Sequence, residues 1–89
     1  MFICKVQGKC VSTIKNSGLT GCSLITVRRI NNAGRLSTEL MVAVDTIGCS
    51  IGETVIVTSG KGARTAIKNP DSPADLAVIG IVDACDFEK

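Results

Sequence analysis

Leu76-Ala77-Val78-Ile79-Gly80-Ile81-Val82 is the longest unbroken apolar run in the chain, and it offers no polar face. A strand that is apolar on both sides has to be covered twice. One side can fill the interior of a small sheet or barrel. The other needs a helix, for which 89 residues leave little length, or a second copy of the molecule. The run is far short of the ~20 residues that a membrane-spanning helix requires, so no transmembrane segment is expected.

Length sharpens that constraint. A chain this short forms one domain, residues 1–89, and buries only about 60% of the surface its unfolded form exposes. Yet 45% of its residues are hydrophobic and its mean hydropathy is positive. Packing against copies of itself is the direct way to hide that excess.

The composition also removes chemistry. There is no His, Trp or Tyr, and the aromatic residues are Phe2 and Phe87 alone. General acid–base work near neutral pH and nitrogen-ligated metal sites both rely on His, so the usual catalytic constellations cannot be assembled and no enzyme, cofactor or metal is expected. Net charge is +2 with both signs scattered, which argues against a polyanion-binding footprint. Arg28-Arg29 is the densest basic pair and reads as an exposed strand face. The five cysteines, at 4, 10, 22, 49 and 85, form no Cys-x-x-Cys pair and follow no signal peptide. They read as reduced, buried small hydrophobes of an intracellular protein rather than zinc ligands or redox thiols.

Phe2 to Thr13 alternates, with Phe2, Cys4, Val6, Gly8 and Cys10 on one side and Lys5, Gln7 and Lys9 on the other. This predicts a half-buried strand whose inner face carries both Cys4 and Cys10. Gly8 in its middle marks a bulge or a bend. After turn residues 15–21, a second strand is expected from Ser23 to Ile30. Asn31-Asn32-Ala33-Gly34 then closes a hairpin into a third, Glu39 to Asp45. A loop from Thr46 to Glu53 leads to a fourth strand, Thr54 to Thr58. Ser59 is placed to cap one helical turn through Arg64 or Thr65, and a rigid connector at 69–73 precedes the apolar run. Five strands and one short helical turn point to an all-β, five-stranded OB-like barrel.

Gly60-Lys61-Gly62 lacks the spacing of a phosphate loop and reads as a tight junction. Asp45, Glu53, Asp75 and Asp83 stand at element boundaries, where capping of loop amides or pairing with Arg64 explains them better than a carboxylate site does. Single-stranded nucleic acid is the usual ligand of an OB barrel, but such surfaces stack bases on aromatic side chains that this chain lacks. An OB-type nucleic-acid-binding module is therefore the alternative reading, with a thiol-based redox or metal-binding protein a third.

Taken in order, Val6-x-Gly8, Val11-Ser12-Thr13-x-Lys15, Leu19-x-Gly21, Ala43-Val44-Asp45-x-Ile47-Gly48, Gly52-Glu53, Ser59-Gly60-x-x-Ala63-Arg64 and Asp75-x-Ala77-Val78-x-Gly80-Ile81-Val82-Asp83 resemble the EutN/CcmL family. These are the pentameric vertex proteins of bacterial microcompartments. The resemblance spans about residues 2–84 and implies an OB-like barrel that assembles as a homopentamer. Such a pentamer sits at the corners of a cytoplasmic polyhedral shell otherwise tiled by hexameric proteins. That role is geometric and needs no catalytic residue, nucleic acid or membrane. Thr54 and Cys49 depart from the family pattern, the first where a larger apolar residue is common and the second where small residues are usual. Subunit contacts are expected at or near Ser59, Gly60, Arg64, Asp75, Val78, Gly80, Val82 and Asp83, with Arg28 and Arg29 available to shell tiles or cargo.

Overall fold

The structure, a computed structural model, describes residues 1–10, 23–67 and 75–83. Its elements are β1 (Phe2–Cys10), β2 (Ser23–Arg29), β3 (Met41–Asp45), β4 (Thr54–Ser59), α1 (Gly60–Ala66) and β5 (Leu76–Ile81). The strands close into a barrel in the order β1-β2-β3-β5-β4, with every pairing antiparallel except β3 with β5. Closure leaves no free strand edge. The ladder also shows how steeply the strands tilt. Stepping from Cys10 to Leu24, Val44, Ala77 and Thr58 circles the barrel and arrives beside the opposite end of β1, where Phe2 pairs with Val57. Such a stagger is the shear a small closed barrel requires.

The interior is filled by β-branched and small side chains: Cys4, Val6, Ile25, Val27, Ala43, Val55, Val57 and Val78, with Cys49 inserted from the loop. The alternation in β1 fails halfway along. Val6 pairs with Val27 but Gly8 pairs with Thr26, so Gln7 is an inserted bulge residue that reverses the facing of the rest of the strand. Cys4 is fully buried, whereas Cys10 pairs with Leu24 on the outer side. The two cysteines do not share a face. In β3 it is Ala43 that lies in the core and Met41 that packs against it, while Val42 stands half exposed on the outside.

The hairpin turn forms at 31–34, held by Asn31 Oδ1 accepting the amides of Ala33 and Arg35. A single bridge, Ile30 to Leu36, comes after it, and Glu39 and Leu40 precede β3 instead of belonging to it. The helix is longer than one turn. Ser59 occupies its N-cap position without a side-chain capping bond, and tertiary contact supports the helix instead. Ala63 is fully buried against Val44 and Ala77, with Leu24, Ala66 and Ile67 packed around them. The chain therefore does supply a helical cover for β5, which among the described residues falls over Ala77. The first strand's expected end at 11–13, the turn at 15–21 and the connector at 69–73 lie outside the described residues.

Candidate subunit seam

Beyond α1, the outer face of the barrel carries a second apolar row. Ile3 pairs with Ile56, Ile56 pairs with Gly80, and the Ile30 amide donates to the Ile3 carbonyl at 2.8 Å, so Ile30, Ile3, Ile56 and Gly80 succeed one another across four strands. The register break that sets Val57 against Val78 and Ile56 against Gly80 leaves Ile79 as the extra residue of β5. Ile79 is 40% exposed and Ile81 43%. Ile3 and Ile56 are half-buried. Along one strand, then, the covered and uncovered halves of the apolar run meet between Val78 and Ile79.

Gly80 needs no special backbone angle, and it is not crowded by its own chain. A Cβ there would find only Ile56 Cδ1, at an ordinary 3.8 Å. The junction before α1 is different. Gly60 has φ of 58°, a left-handed conformation that favours glycine, and a Cβ on Gly62 would lie 2.5 Å from Thr58 Oγ1. The positive angle and the crowding that the sequence suggests for this junction are both present, on different glycines.

The structure divides the expected contact residues between the two ends of β5. At its start, Ser59 pairs with Leu76, the Gly60 amide donates to the Asp75 carbonyl at 2.9 Å, and Arg64 is half-buried on α1. At its end, the Val82 amide donates to the Thr54 carbonyl at 2.8 Å and Asp83 is exposed. Gly80 lies on the half-buried apolar row. Val78 fills the barrel core and bears on a seam only by holding β5 in place. The sequence pattern does not single out Ile3 and Ile56. Its one signal is that Ile3 interrupts the otherwise polar set Lys5, Gln7 and Lys9.

Arg28 and Arg29 do not form one exposed pair. Arg28 pairs with Lys5 on the outer face, and its Nε is buried without a hydrogen-bond partner. Arg29 pairs with Cys4 across the opposite face, and its guanidinium carbon lies 4.9 Å from the centre of the Phe2 ring.

The loop between β3 and β4 is organised by its acidic residues. Asp45 accepts the amides of Ile47 at 3.1 Å and of Gly48 and Cys49 at 2.9 Å each. Burial works to raise its pKa, but these donors hold the carboxyl below its ordinary value. Glu53 accepts the Ser50 amide. Both carboxylates are thus engaged with loop amides. Cys49 is 2% exposed, and burial first, then the neighbouring Asp45, pushes its thiol up to about 11. Burial likewise pushes Cys4 up to about 11, against the lowering influence of Arg29. Reactive thiols require the opposite shift, so these two are packing groups. No cluster of three or more potential metal ligands occurs among the described residues.

The family described as "Ethanolamine utilisation protein EutN/carboxysome" matches residues 1–83. The bacterial microcompartment shell vertex protein PduN of Salmonella typhimurium is 40% identical over 87 residues, which cover 93% of this chain and 96% of that protein. The carboxysome shell vertex protein CcmL of Synechococcus elongatus is 36% identical over 89 residues, covering 100% of this chain and 90% of that one. Among solved structures, the GrpN pentameric microcompartment shell protein from Rhodospirillum rubrum superposes with a TM-score of 0.87 at 40% identity, covering 98% and 99% of the two chains.

Proposed function

This chain belongs to the EutN/CcmL family and is a structural shell vertex protein of a bacterial microcompartment; from that premise we propose how its surface is used. Five copies close into a ring through the apolar outer face of the barrel, and the ring occupies a corner bounded by hexameric shell proteins. A flat hexagonal sheet has no curvature, and a five-fold unit supplies it at each corner. The task is steric, which suits a chain whose Cys4 and Cys49 pack in the core and whose Asp45 and Glu53 cap loop amides.

The observation that carries this reading is the half-buried apolar row Ile30, Ile3, Ile56 and Gly80, flanked by the exposed Ile79, on a barrel with no free edge. With every strand paired, association has to use side chains on the outer face, and a partly accessible apolar row is what an interface core is made of. Gly80, Val82 and Asp83 lie along one margin of the seam. Ser59, Gly60, Arg64 and Asp75 cluster at the far end of β5, with charged groups placed towards a rim. Arg28 and Arg29 are left to meet shell tiles or cargo. No observation favours the nucleic-acid alternative. Native mass spectrometry together with light scattering at micromolar concentration tests the proposal. Five subunits is the expected count, and a stable monomer or dimer would overturn it.

A further inference from the structure

Two residues along each strand from Ile30, Ile3 and Ile56 runs a parallel row of different character. Lys5 pairs with Arg28 on one side and with Thr54 on the other, so Arg28, Lys5 and Thr54 stand side by side across β2, β1 and β4. Their neighbours along the strands, Val27, Cys4, Val6 and Val55, fill the barrel core. Strand alternation therefore puts all three on the outer face. The row offers a guanidinium, an ammonium and a hydroxyl. The first two can only donate hydrogen bonds, and the third can donate one.

This arrangement is costly as it stands. Like charges directly opposite each other in an antiparallel pair are destabilising, and Lys5 and Arg28 are such a pair. A carboxylate would relieve them, but among the described residues none of the three side chains has an ion-pair or hydrogen-bond partner. Glu53, next to Thr54 in the chain, directs its carboxylate to the Ser50 amide. The Nε of Arg28 is moreover buried with no acceptor, and a buried donor left unsatisfied costs more than one in water. Lys5 beside it is exposed and Thr54 half-buried, so the row is open to solute.

We infer that the Arg28–Lys5–Thr54 row binds a small free oxyanion of the phosphate or sulfate type. The donors come from three adjacent strands, which at about 4.8 Å per strand spacing spreads their backbones over about 10 Å. Such a spread suits a tetrahedral ion, whose oxygens point in different directions, better than a planar carboxylate. Arg28 brings a planar fork that matches two of those oxygens, and Lys5 a mobile point charge. A polyanion would find no continuation of the row. Two residues to one side lie Ile30, Ile3 and Ile56, and to the other the uncharged Thr26 and Gly8. The site is complete within one chain, so it goes beyond the shell-building role and does not depend on the number of subunits.

Isothermal titration of the unaltered protein with sodium phosphate tests this, with ionic strength held constant by sodium chloride. Saturable binding of phosphate is expected, with sulfate competing for the same site and acetate binding at least tenfold more weakly. Lys5→Gln and Arg28→Gln should each weaken phosphate at least tenfold while keeping the strand circular dichroism. Arg29→Gln removes an equally exposed cation from the opposite face and should leave the affinity unchanged. If Arg28→Gln does not fold, the exposed Lys5→Gln decides the matter alone. Absence of saturable phosphate binding by the unaltered protein would overturn the inference. So would acetate binding as tightly as phosphate, a folded Lys5→Gln variant of unchanged affinity, or an equal loss in Arg29→Gln.

Discussion

Ala77 and Gly80 lie three residues apart on one strand, and both belong to the outer face of the barrel, but they have opposite surroundings. Ala77 is fully buried beneath α1 together with Val44 and Ala63. Gly80 lies beside Ile56 and Ile3 in a row that is half-buried and away from α1. Sheet geometry and residue character are much the same in both places. What differs is which part of the surface a seven-residue helix can reach. A small chain covers one sector of its barrel with its own helix; on the proposed reading the other sector is left to its copies, and folding and assembly divide one apolar strand between them.

Placing the same substitution in each sector gives the sharpest contrast. Gly80→Val should weaken assembly at least hundredfold while shifting the melting of the isolated subunit little, because its own chain leaves room for a Cβ. Ala77→Val should do the reverse, costing about 1–3 kcal/mol of folding stability through overpacking under α1 before it touches assembly. Denaturant titration paired with native mass spectrometry reads both quantities. Similar profiles for the two variants would erase the distinction between the sectors.

The helical cover can be loosened from its own side. Gly62→Ala improves intrinsic helix propensity by up to about 1 kcal/mol, but its Cβ would fall 2.5 Å from Thr58 Oγ1. The net effect should be destabilising by about 1 kcal/mol, and Thr58→Ala in the same chain should recover the propensity gain. Melting temperatures of the two single variants and the double variant decide it; a stabilising Gly62→Ala alone would mean that Thr58 yields freely.

A last contrast, visible only at alkaline pH, concerns the interior that both sectors share. Cys4 and Cys49 are raised from 9.0 to about 11 by burial, with Asp45 adding to the shift at Cys49. The folded state therefore keeps two protons that the unfolded chain releases first. Their contribution is fully present below pH 9 and is lost as pH rises towards 11, by at most about 1.4 kcal/mol per pH unit for each thiol. Denaturation midpoints between pH 8.5 and 10.5 should fall accordingly. Cys49→Ala should lower the baseline yet flatten the slope, and an unchanged slope would remove Cys49 from this role.

Much of the barrel was legible because the strands obey local rules. β-branched runs, the Asn31–Gly34 turn and the glycines around Gly60 announced the elements within a residue or two. The misreadings had non-local causes. A single inserted residue at Gln7 turned Cys10 outward, and nothing in the alternation of β1 could register it. In β3, Leu40, Val42 and Val44 alternate with Met41 and Ala43, both sets are apolar, and the Met41–Ala43 set faces inward because the pairing with β2 sets β3 in that register. Arg28 and Arg29 looked like one patch until the pleat sent them to opposite faces.

By itself, the sequence determined that this chain is a small all-β unit with more apolar surface than it can bury, because composition and period-two patterning are local properties. Which half of the Leu76–Val82 run is covered, and where the uncovered remainder lies, was decided only when the strands closed with their stagger. Closure brings Ala77 under α1 and aligns Gly80 with Ile56 and Ile3, residues far apart in the chain that become neighbours through ladder register alone.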